Sequence, residues 1–216
     1  MTIKTVIFDL DGTLVDSAAD IAFAANAALA GEGLDPVTSE DAARLIGDGA
    51  RKAVERAFSL RSGPLDQDAI DRGARAFARA YVDPDQPVLG QLYPRVPETL
   101  TRLAAAGLRL GVCTNKPQAA AHRTLTALGI RDQFLVLVGG DRIPFRKPDP
   151  RHLLACLEPL GVTPASAALV GDSRNDEQAA RGAGVRFIGV SYGYGRPCGV
   201  ASLLDRFADI PEALGL

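Results

Sequence analysis

The chain has 216 residues, 47% of them hydrophobic, and its 24 Lys and Arg residues nearly balance 26 Asp and Glu residues, for a formal net charge of -2. A chain of this length can bury about 70% of the surface that it exposes when unfolded, which allows a substantial hydrophobic core. The composition therefore argues against intrinsic disorder, and the near balance of charge argues against a nucleic-acid partner.

Cysteine and histidine are scarce, with three and two residues respectively. The cysteines form no CxxC pair, which disfavours a disulfide framework and a thiolate metal site and makes a reducing cytoplasm the expected location. Metal binding and proton transfer must then rest largely on carboxylates, which prefer hard cations such as Mg²⁺. His122 and His152 lie in helical patterns away from the motifs below, so we expect surface or capping roles for them.

The apolar run at residues 1–8 is too short to span a membrane, so no membrane partner is expected.

Five short apolar runs, rich in β-branched residues, are predicted to be strands, and helical patterns separate them. They comprise residues 2–8, 108–113, 134–138, 167–170 and 185–190. Gly107, Gly129 and Gly161 are placed to end helices in left-handed caps, whereas Asp149 and Thr163, each followed by Pro, are placed to begin helices. Apolar strands that alternate with helices predict a parallel sheet covered on both faces.

Residues 16–90 interrupt this alternation, because no convincing strand occurs among them. Alanine, the strongest helix former, accounts for 18 of these 75 residues but for only 17 of the other 141. Ile70, Ala74, Phe77 and Tyr81 form one apolar stripe at helical spacing. The sequence therefore predicts a helical insert in an α/β protein.

The strongest chemical signal is Asp9-Leu10-Asp11-Gly12-Thr13, directly after the first predicted strand. Two carboxylates two residues apart, where the backbone bends at a glycine, can converge on one ion at the carboxyl edge of the sheet. Three further motifs follow later strands, where open α/β sheets bind their ligands. They are Thr114-Asn115-Lys116, Lys147-Pro148-Asp149-Pro150 and Gly171-Asp172-Ser173-Arg174-Asn175-Asp176. Together the motifs bring a hydroxyl, an ammonium group and several carboxylates to one edge.

With FDLDGTLVDS, TNKP, KPDP and GDSRND in this order, the chain resembles the haloacid dehalogenase-like superfamily and, within it, the phosphoglycolate phosphatase-like branch. The resemblance spans essentially the whole chain. It implies a doubly wound, Rossmann-like parallel sheet in a core domain of residues 1–15 and 91–216, with the first strand central. It also implies an inserted helical cap domain of residues 16–90, where IGDGARKAVERAF is similar to the cap segment of those enzymes.

The resemblance implies a phosphoric monoester hydrolase that acts on a small phosphorylated metabolite, with 2-phosphoglycolate first among the candidates. Asp9 would be the nucleophile that forms an aspartyl-phosphate. Asp11 would protonate the leaving alkoxide and would then activate water for hydrolysis. With histidine scarce, the assignment of proton transfer to an aspartate agrees with the composition.

The same resemblance implies how the site binds its ligands. Mg²⁺ would be held by the Asp9 carboxylate, the backbone carbonyl of Asp11 and Asp172. Asp176 would orient the metal site or Lys147 rather than bind the metal directly. The phosphoryl group would be bound by residues of the second and third motifs, namely Thr114, Asn115 and Lys147.

The aspartate at position 11 separates the candidate functions. Relatives that attack carbon or cleave a C–P bond lack an aspartate there, so Asp11 indicates an oxygen leaving group that needs a proton. A phosphosugar mutase of the same superfamily stays open as an alternative, as does a phosphatase for a sugar phosphate, a nucleotide or pyrophosphate. A phospho-accepting signalling domain, a rival from another class, would have about half this length and would need no helical cap.

Substrate specificity is expected to depend on the cap residues 47–52. Arg51 or Lys52 could meet a substrate carboxylate, and our hypothesis is that Arg51 binds the carboxylate of 2-phosphoglycolate. The alternative is that both residues belong to the solvated face of a cap helix. Residues 191–195 either rim the pocket or form a simple glycine-rich turn. Arg95 occupies a position where the family more often has glycine, so the conformation of the turn at this residue is not predicted. Monomer and homodimer both stay open.

Overall fold

Short apolar segments alternate with helices through most of the chain, as the sequence predicts. The structure, a computed structural model, describes residues 2–63, 66–199 and 201–216. In chain order its strands and α-helices are β1 (Thr5–Phe8), β2 (Val15–Asp16), α1 (Ala18–Ala30), α2 (Ser39–Ala42), α3 (Ala50–Arg61), α4 (Gln67–Val82), β3 (Gln91–Leu92), α5 (Val96–Ala105), β4 (Arg109–Cys113), α6 (Gln118–Ala127), β5 (Val136–Val138), α7 (Pro150–Leu157), β6 (Ala167–Gly171), α8 (Arg174–Ala183), β7 (Arg186–Gly189) and α9 (Ile210–Leu214). Among these described helices, none combines the length and the hydropathy that a bilayer crossing requires.

The first strand lies at the centre of a five-stranded parallel sheet with the order β5-β4-β1-β6-β7. Val6 pairs with Leu110 of β4 on one side and with Ala168 of β6 on the other. The chain thus winds outward from β1 in both directions. The predicted fold, a doubly wound parallel sheet of the α/β class, is confirmed.

Both faces of this sheet are covered by helices. Val6 and Phe8 belong to a buried cluster with residues of α5, α6 and α9. Ile7 points to the other face and belongs to a second cluster with residues of α7 and α8. A strand buried on both faces needs apolar side chains at consecutive positions, which explains the unbroken apolar run at residues 6–8.

Contacts divide the chain into two compact units. One consists of Met1–Asp16 and Gln91–Leu216, which we call the core unit, and the other is Ser17–Gly90, which we call the helical unit. In the core unit β2 and β3 pair antiparallel, with Val15 opposite Leu92. A strand of two residues produces no periodic pattern, so the sequence does not predict this pair.

The helical unit contains α1 to α4 and no strand in its described residues. The predicted stripe of α4 is buried except at Ala74, which is half-buried. Gly73 lies in the helix interface instead, because a Cβ on it would come within 2.7 Å of Val54 and Phe58 of α3. The missing side chain therefore allows α3 and α4 to pack closely.

The turn before α5 keeps the geometry of a glycine turn although arginine occupies it. Arg95 has a φ of 67°, in the left-handed region that glycine adopts most readily. Its side chain pairs with Glu98 at 3.2 Å. The glycine caps predicted at Gly107, Gly129 and Gly161 are confirmed, with φ values of 83°, 72° and 59°.

Candidate active site

The chain bends sharply after β1, and this bend carries Asp9 and Asp11. Asp9 Oδ1 accepts a hydrogen bond from the backbone N–H of Leu10, with 2.7 Å between the two atoms. Gly12 has a φ of 83°, and a Cβ on it would lie 2.5 Å from Oδ2 of Asp172. The bend therefore needs glycine both for its backbone conformation and for the approach of the Asp172 carboxylate.

A buried lysine joins two of the carboxylates. Lys147 Nζ lies 2.8 Å from Oδ1 of Asp9 and 2.6 Å from Oδ1 of Asp176. Burial alone would lower the pKa of Lys147, but the charges of Asp176 and Asp9 outweigh burial and raise this pKa above its usual value. Lys147 is therefore a permanent ammonium group within this cluster.

Asp172, directly after β6, is held by the loop that follows β7. Its Oδ2 accepts hydrogen bonds from the backbone N–H groups of Tyr194 and Gly195, each at 2.8 Å. A Cβ on Gly193 would lie 2.3 Å from Cβ of Asp172, so the loop packs directly against the carboxylate. Residues 191–195 are thus part of the site rather than an isolated turn.

Both carboxylate oxygens of Asp176, in the first turn of α8, are engaged. Oδ1 pairs with Lys147, and Oδ2 accepts a hydrogen bond from the backbone N–H of Ser173 at 3.1 Å. The Ser173 hydroxyl in turn accepts from the backbone N–H of Asp176, which completes a capping box. A carboxylate held in this way can orient the Lys147 ammonium group.

Three carboxylates lie close enough to share one cation. Oxygens of Asp9, Asp172 and Asp176 all lie within 4.8 Å of one another. Burial and the charge of Asp176 raise the pKa of Asp9 well above its usual value, and the same two causes raise the pKa of Asp172 to about 6. The cluster is thus short of positive charge, and its oxygen-only donor set suits a hard divalent cation such as Mg²⁺.

The motif after β4 brings Thr114 and Asn115 to the same edge of the sheet. Thr114 is buried, and its Oγ1 accepts a hydrogen bond from the backbone N–H of Lys116 at 3.2 Å. The side-chain amide of Asn115 donates to the backbone carbonyl of Lys147 at 2.9 Å. Asn115 therefore positions the loop that carries Lys147, a structural task besides the substrate contact predicted for it.

Lys116 is a site residue that the sequence analysis misses. Its Nζ lies 2.8 Å from Oδ1 of Asp11, and its side chain is 2% exposed. The two residues are 105 positions apart in the chain, so no local pattern reveals the pair. The available signal is weak: Lys116 belongs to the motif that also contains Thr114 and Asn115.

The prediction that His152 is a surface or capping residue is wrong. His152 is fully buried in α7, and its Nδ1 accepts a hydrogen bond from the backbone N–H of Lys147 at 3.2 Å. Because Nδ1 is the acceptor, a neutral imidazole there carries its proton on Nε2. The imidazole thus fixes the backbone of the loop that carries Lys147.

Arg51 and Lys52 lie in α3 of the helical unit and have partners of their own there. The Arg51 guanidinium forms an ion pair with Asp71 and donates to Oε1 of Gln67 at 2.6 Å. Lys52 pairs with Glu55. A substrate that binds Arg51 would therefore have to compete with Asp71 for its guanidinium.

Comparison with known proteins adds an independent observation to this geometry. Residues 6–190 match the sequence model of a family described as haloacid dehalogenase-like hydrolase. A phosphoglycolate phosphatase from Agrobacterium fabrum is 45% identical over 188 residues, which cover 87% of this chain and 80% of that protein. One from Rhodospirillum rubrum is 42% identical over 219 residues, which cover 98% of this chain and 91% of that protein. The crystal structure of a predicted phosphoglycolate phosphatase from Haemophilus somnus is similar with a TM-score of 0.88 at 34% identity, over 99% of this chain and 98% of that one.

Proposed function

The chain belongs to the haloacid dehalogenase-like hydrolase family, and on that premise we propose that it is a Mg²⁺-dependent phosphatase. Its substrate is a small phosphate ester, and the names of its relatives make 2-phosphoglycolate the first candidate. The reaction passes through an aspartyl-phosphate on Asp9 and yields the alcohol and inorganic phosphate.

The observation that carries this proposal is the pairing of two neighbouring carboxylates with two different buried lysines. Asp9 pairs with Lys147 and Asp11 with Lys116, each at 2.8 Å. A carboxylate about 4 Å from a phosphate dianion meets a repulsion of roughly 8 kcal/mol at an effective dielectric of about 20, so attack on phosphorus requires positive charge at the site. Lys147 supplies part of this charge in direct contact with the nucleophile.

In the first half of the reaction, an oxygen of Asp9 attacks phosphorus while the bond from phosphorus to the leaving oxygen breaks. Asp11 is protonated at this stage and gives its proton to that oxygen, so the neutral alcohol departs. Lys147 and the Thr114 hydroxyl donate hydrogen bonds to the phosphoryl oxygens.

In the second half, Asp11 is a carboxylate and accepts a proton from a water molecule. The oxygen of this water attacks the phosphorus of the aspartyl-phosphate, and the bond between phosphorus and Asp9 breaks. Inorganic phosphate leaves, Asp9 is again a carboxylate and Asp11 is again protonated. The chain thereby returns to the state in which it began.

The ligands that we propose for Mg²⁺ are the Asp9 carboxylate, the backbone carbonyl of Asp11 and Asp172. When bound, the ion supplies positive charge beside the nucleophile and the phosphoryl group. The loop after β7 holds Asp172 for this task through two N–H groups, and Asp176 holds Lys147. These supporting contacts keep the charged groups in place before the substrate arrives.

The direct test is phosphate release from phosphoglycolate by the purified protein. We expect many turnovers per chain, and we expect EDTA to slow release at least about 100-fold until excess Mg²⁺ is added, since metal-ion charge stabilisation is worth several kcal/mol. Isomerisation of a sugar phosphate without phosphate release would instead indicate a mutase. A single phosphorylation per chain without turnover would indicate a phospho-accepting signalling domain.

We also propose that the helical unit is the substrate-selecting cap, with Arg51 in contact with the carboxylate. Replacement of Arg51 by alanine is expected to lower kcat/KM for phosphoglycolate about tenfold relative to ethyl phosphate, which has no carboxylate. The effect is modest because Arg51 is 43% exposed and already pairs with Asp71. Steady-state rates on both esters give the ratio of the two kcat/KM values. Replacement of the exposed Arg79 by alanine is the matched control. If the ratio of the two rates did not move, Arg51 would belong only to the ion-paired face of α3.

A further inference from the structure

Lys116 contacts the residue proposed as the acid and base of the reaction, Asp11. Its Nζ is 2.8 Å from Oδ1 of Asp11, the residue that gives a proton to the leaving oxygen in the proposed reaction. That oxygen must come within hydrogen-bond distance of the Asp11 carboxyl group, about 3 Å. The ammonium group and the leaving oxygen therefore approach the same carboxyl group.

The carboxylate of phosphoglycolate is close to this point. Its carbon is two bonds from the leaving oxygen, so a cation that recognises it has to lie near that oxygen. Lys116 meets this requirement from within the core unit. An ammonium group has three N–H donors, and the contact with Asp11 uses one of them.

The two buried lysines of the site have different neighbours. Lys147 contacts Asp9 and Asp176, which places it beside the phosphoryl group that Asp9 attacks. Lys116 contacts Asp11, and the side chains of this pair are 2% and 13% exposed. Such a contact is screened by water and salt far less than one on the surface. The arrangement therefore assigns one cation to each end of a substrate that carries two anionic groups.

We propose that Lys116 recognises the carboxylate of the substrate and so selects phosphoglycolate over phosphate esters with uncharged leaving groups. This inference rests on the proposed function and specifies which residue of the core unit binds the second anionic group. It is separate from the contact proposed for Arg51, which belongs to the helical unit.

The test is the ratio of kcat/KM for phosphoglycolate to kcat/KM for ethyl phosphate. Lys116→Met is expected to lose activity on both esters, because Asp11 loses its ion-pair partner, and the ratio is expected to fall by a further factor of about 30. Lys4→Met is the matched control. Lys4 is exposed before the first residue of β1, whereas Asp9 follows the last, so this variant removes the same charge at the opposite edge of the sheet.

A binding measurement separates recognition of the carboxylate from positioning of Asp11. In an Asp9→Asn background, calorimetry with Mg²⁺ gives the Kd of phosphoglycolate and of inorganic phosphate, which has no carboxylate. Lys116→Met is expected to raise the first Kd about tenfold more than the second. Lys116→Arg keeps the charge and is expected to restore part of the preference, and it serves as the test if the methionine variant does not fold.

Equal losses of activity on the two esters, with equal changes in the two Kd values, would overturn the inference and leave Lys116 as a positioning residue for Asp11. A preference that survives in Lys116→Met but disappears in Arg51→Ala would also contradict it. A wild-type protein that hydrolyses both esters equally well would refute the phosphoglycolate assignment, and the inference would fall with that assignment.

Discussion

Replacement of Asp9 by asparagine is expected to lower kcat for phosphoglycolate by at least about 10⁴-fold, because a side-chain amide is a poor nucleophile toward phosphorus. The amide removes the charge at position 9 but keeps an oxygen that can accept from Lys147, and Lys147 also keeps Asp176 at 2.6 Å, so the ammonium group stays in place. Phosphate release under single-turnover conditions and the intact mass of the protein measure the effect. A normal turnover rate in this variant would overturn the mechanism.

A loss of fold is not expected to explain that result. Burial and the charge of Asp176 raise the pKa of Asp9, so its ionised form is disfavoured in the folded protein. Ionisation of Asp9 therefore lowers the stability of the folded protein. This loss of stability begins as the pH rises through the pKa of Asp in the unfolded chain, about 4, and it is present at pH 7. A neutral amide removes it. The melting temperature of the metal-free variant at pH 7 is therefore expected to match or exceed that of the wild type, as circular dichroism would show.

Replacement of Asp11 by asparagine is expected to stop the reaction halfway. An amide cannot take a proton from water, so the phosphoryl group stays on Asp9 and steady turnover falls about 10³-fold. The leaving group of 4-nitrophenyl phosphate needs no proton, so this ester is the substrate that isolates the second half of the reaction. The expected time course is a burst of one nitrophenolate per chain followed by slow release.

Two controls define that experiment. The intact mass of Asp11→Asn should show one added phosphoryl group, whereas a variant that also carries Asp9→Asn should show neither burst nor added mass. The amide keeps an oxygen that can accept from Lys116, which contacts Asp11 at 2.8 Å, so the local structure is expected to survive. Wild-type turnover without a burst would remove Asp11 from the role of acid and base.

The sheet could be predicted from the sequence because its strands are buried on both faces and so carry consecutive apolar residues. The antiparallel pair of β2 and β3 could not be predicted, since strands of two residues have no periodicity.

Arg95 shows a different limit of prediction from the sequence. Its φ of 67° is one that arginine does not prefer, so the turn follows from the structure around it rather than from the residue.

His152 shows why a local pattern can misplace a polar residue. His152 lies only two residues after the Lys147-Pro148-Asp149-Pro150 motif, in the first turn of α7, but a helical pattern does not show that it faces the loop of that motif. In this fold α7 brings it against the loop that carries Lys147, whose buried backbone N–H needs an acceptor. Burial of the imidazole thus satisfies a requirement that arises only when the loop and the helix meet.

By itself the sequence determined which chemical groups reach the carboxyl edge of the sheet, because the ends of parallel strands meet at one edge wherever the strands lie in the chain. The tertiary structure decided how these groups pair. The sequence indicated one ammonium group and several carboxylates at that edge, and the structure adds Lys116 as a second buried cation. Lys116 and Asp11 are 105 positions apart, and their 2.8 Å contact depends on side-chain packing between neighbouring strands, which no local pattern contains.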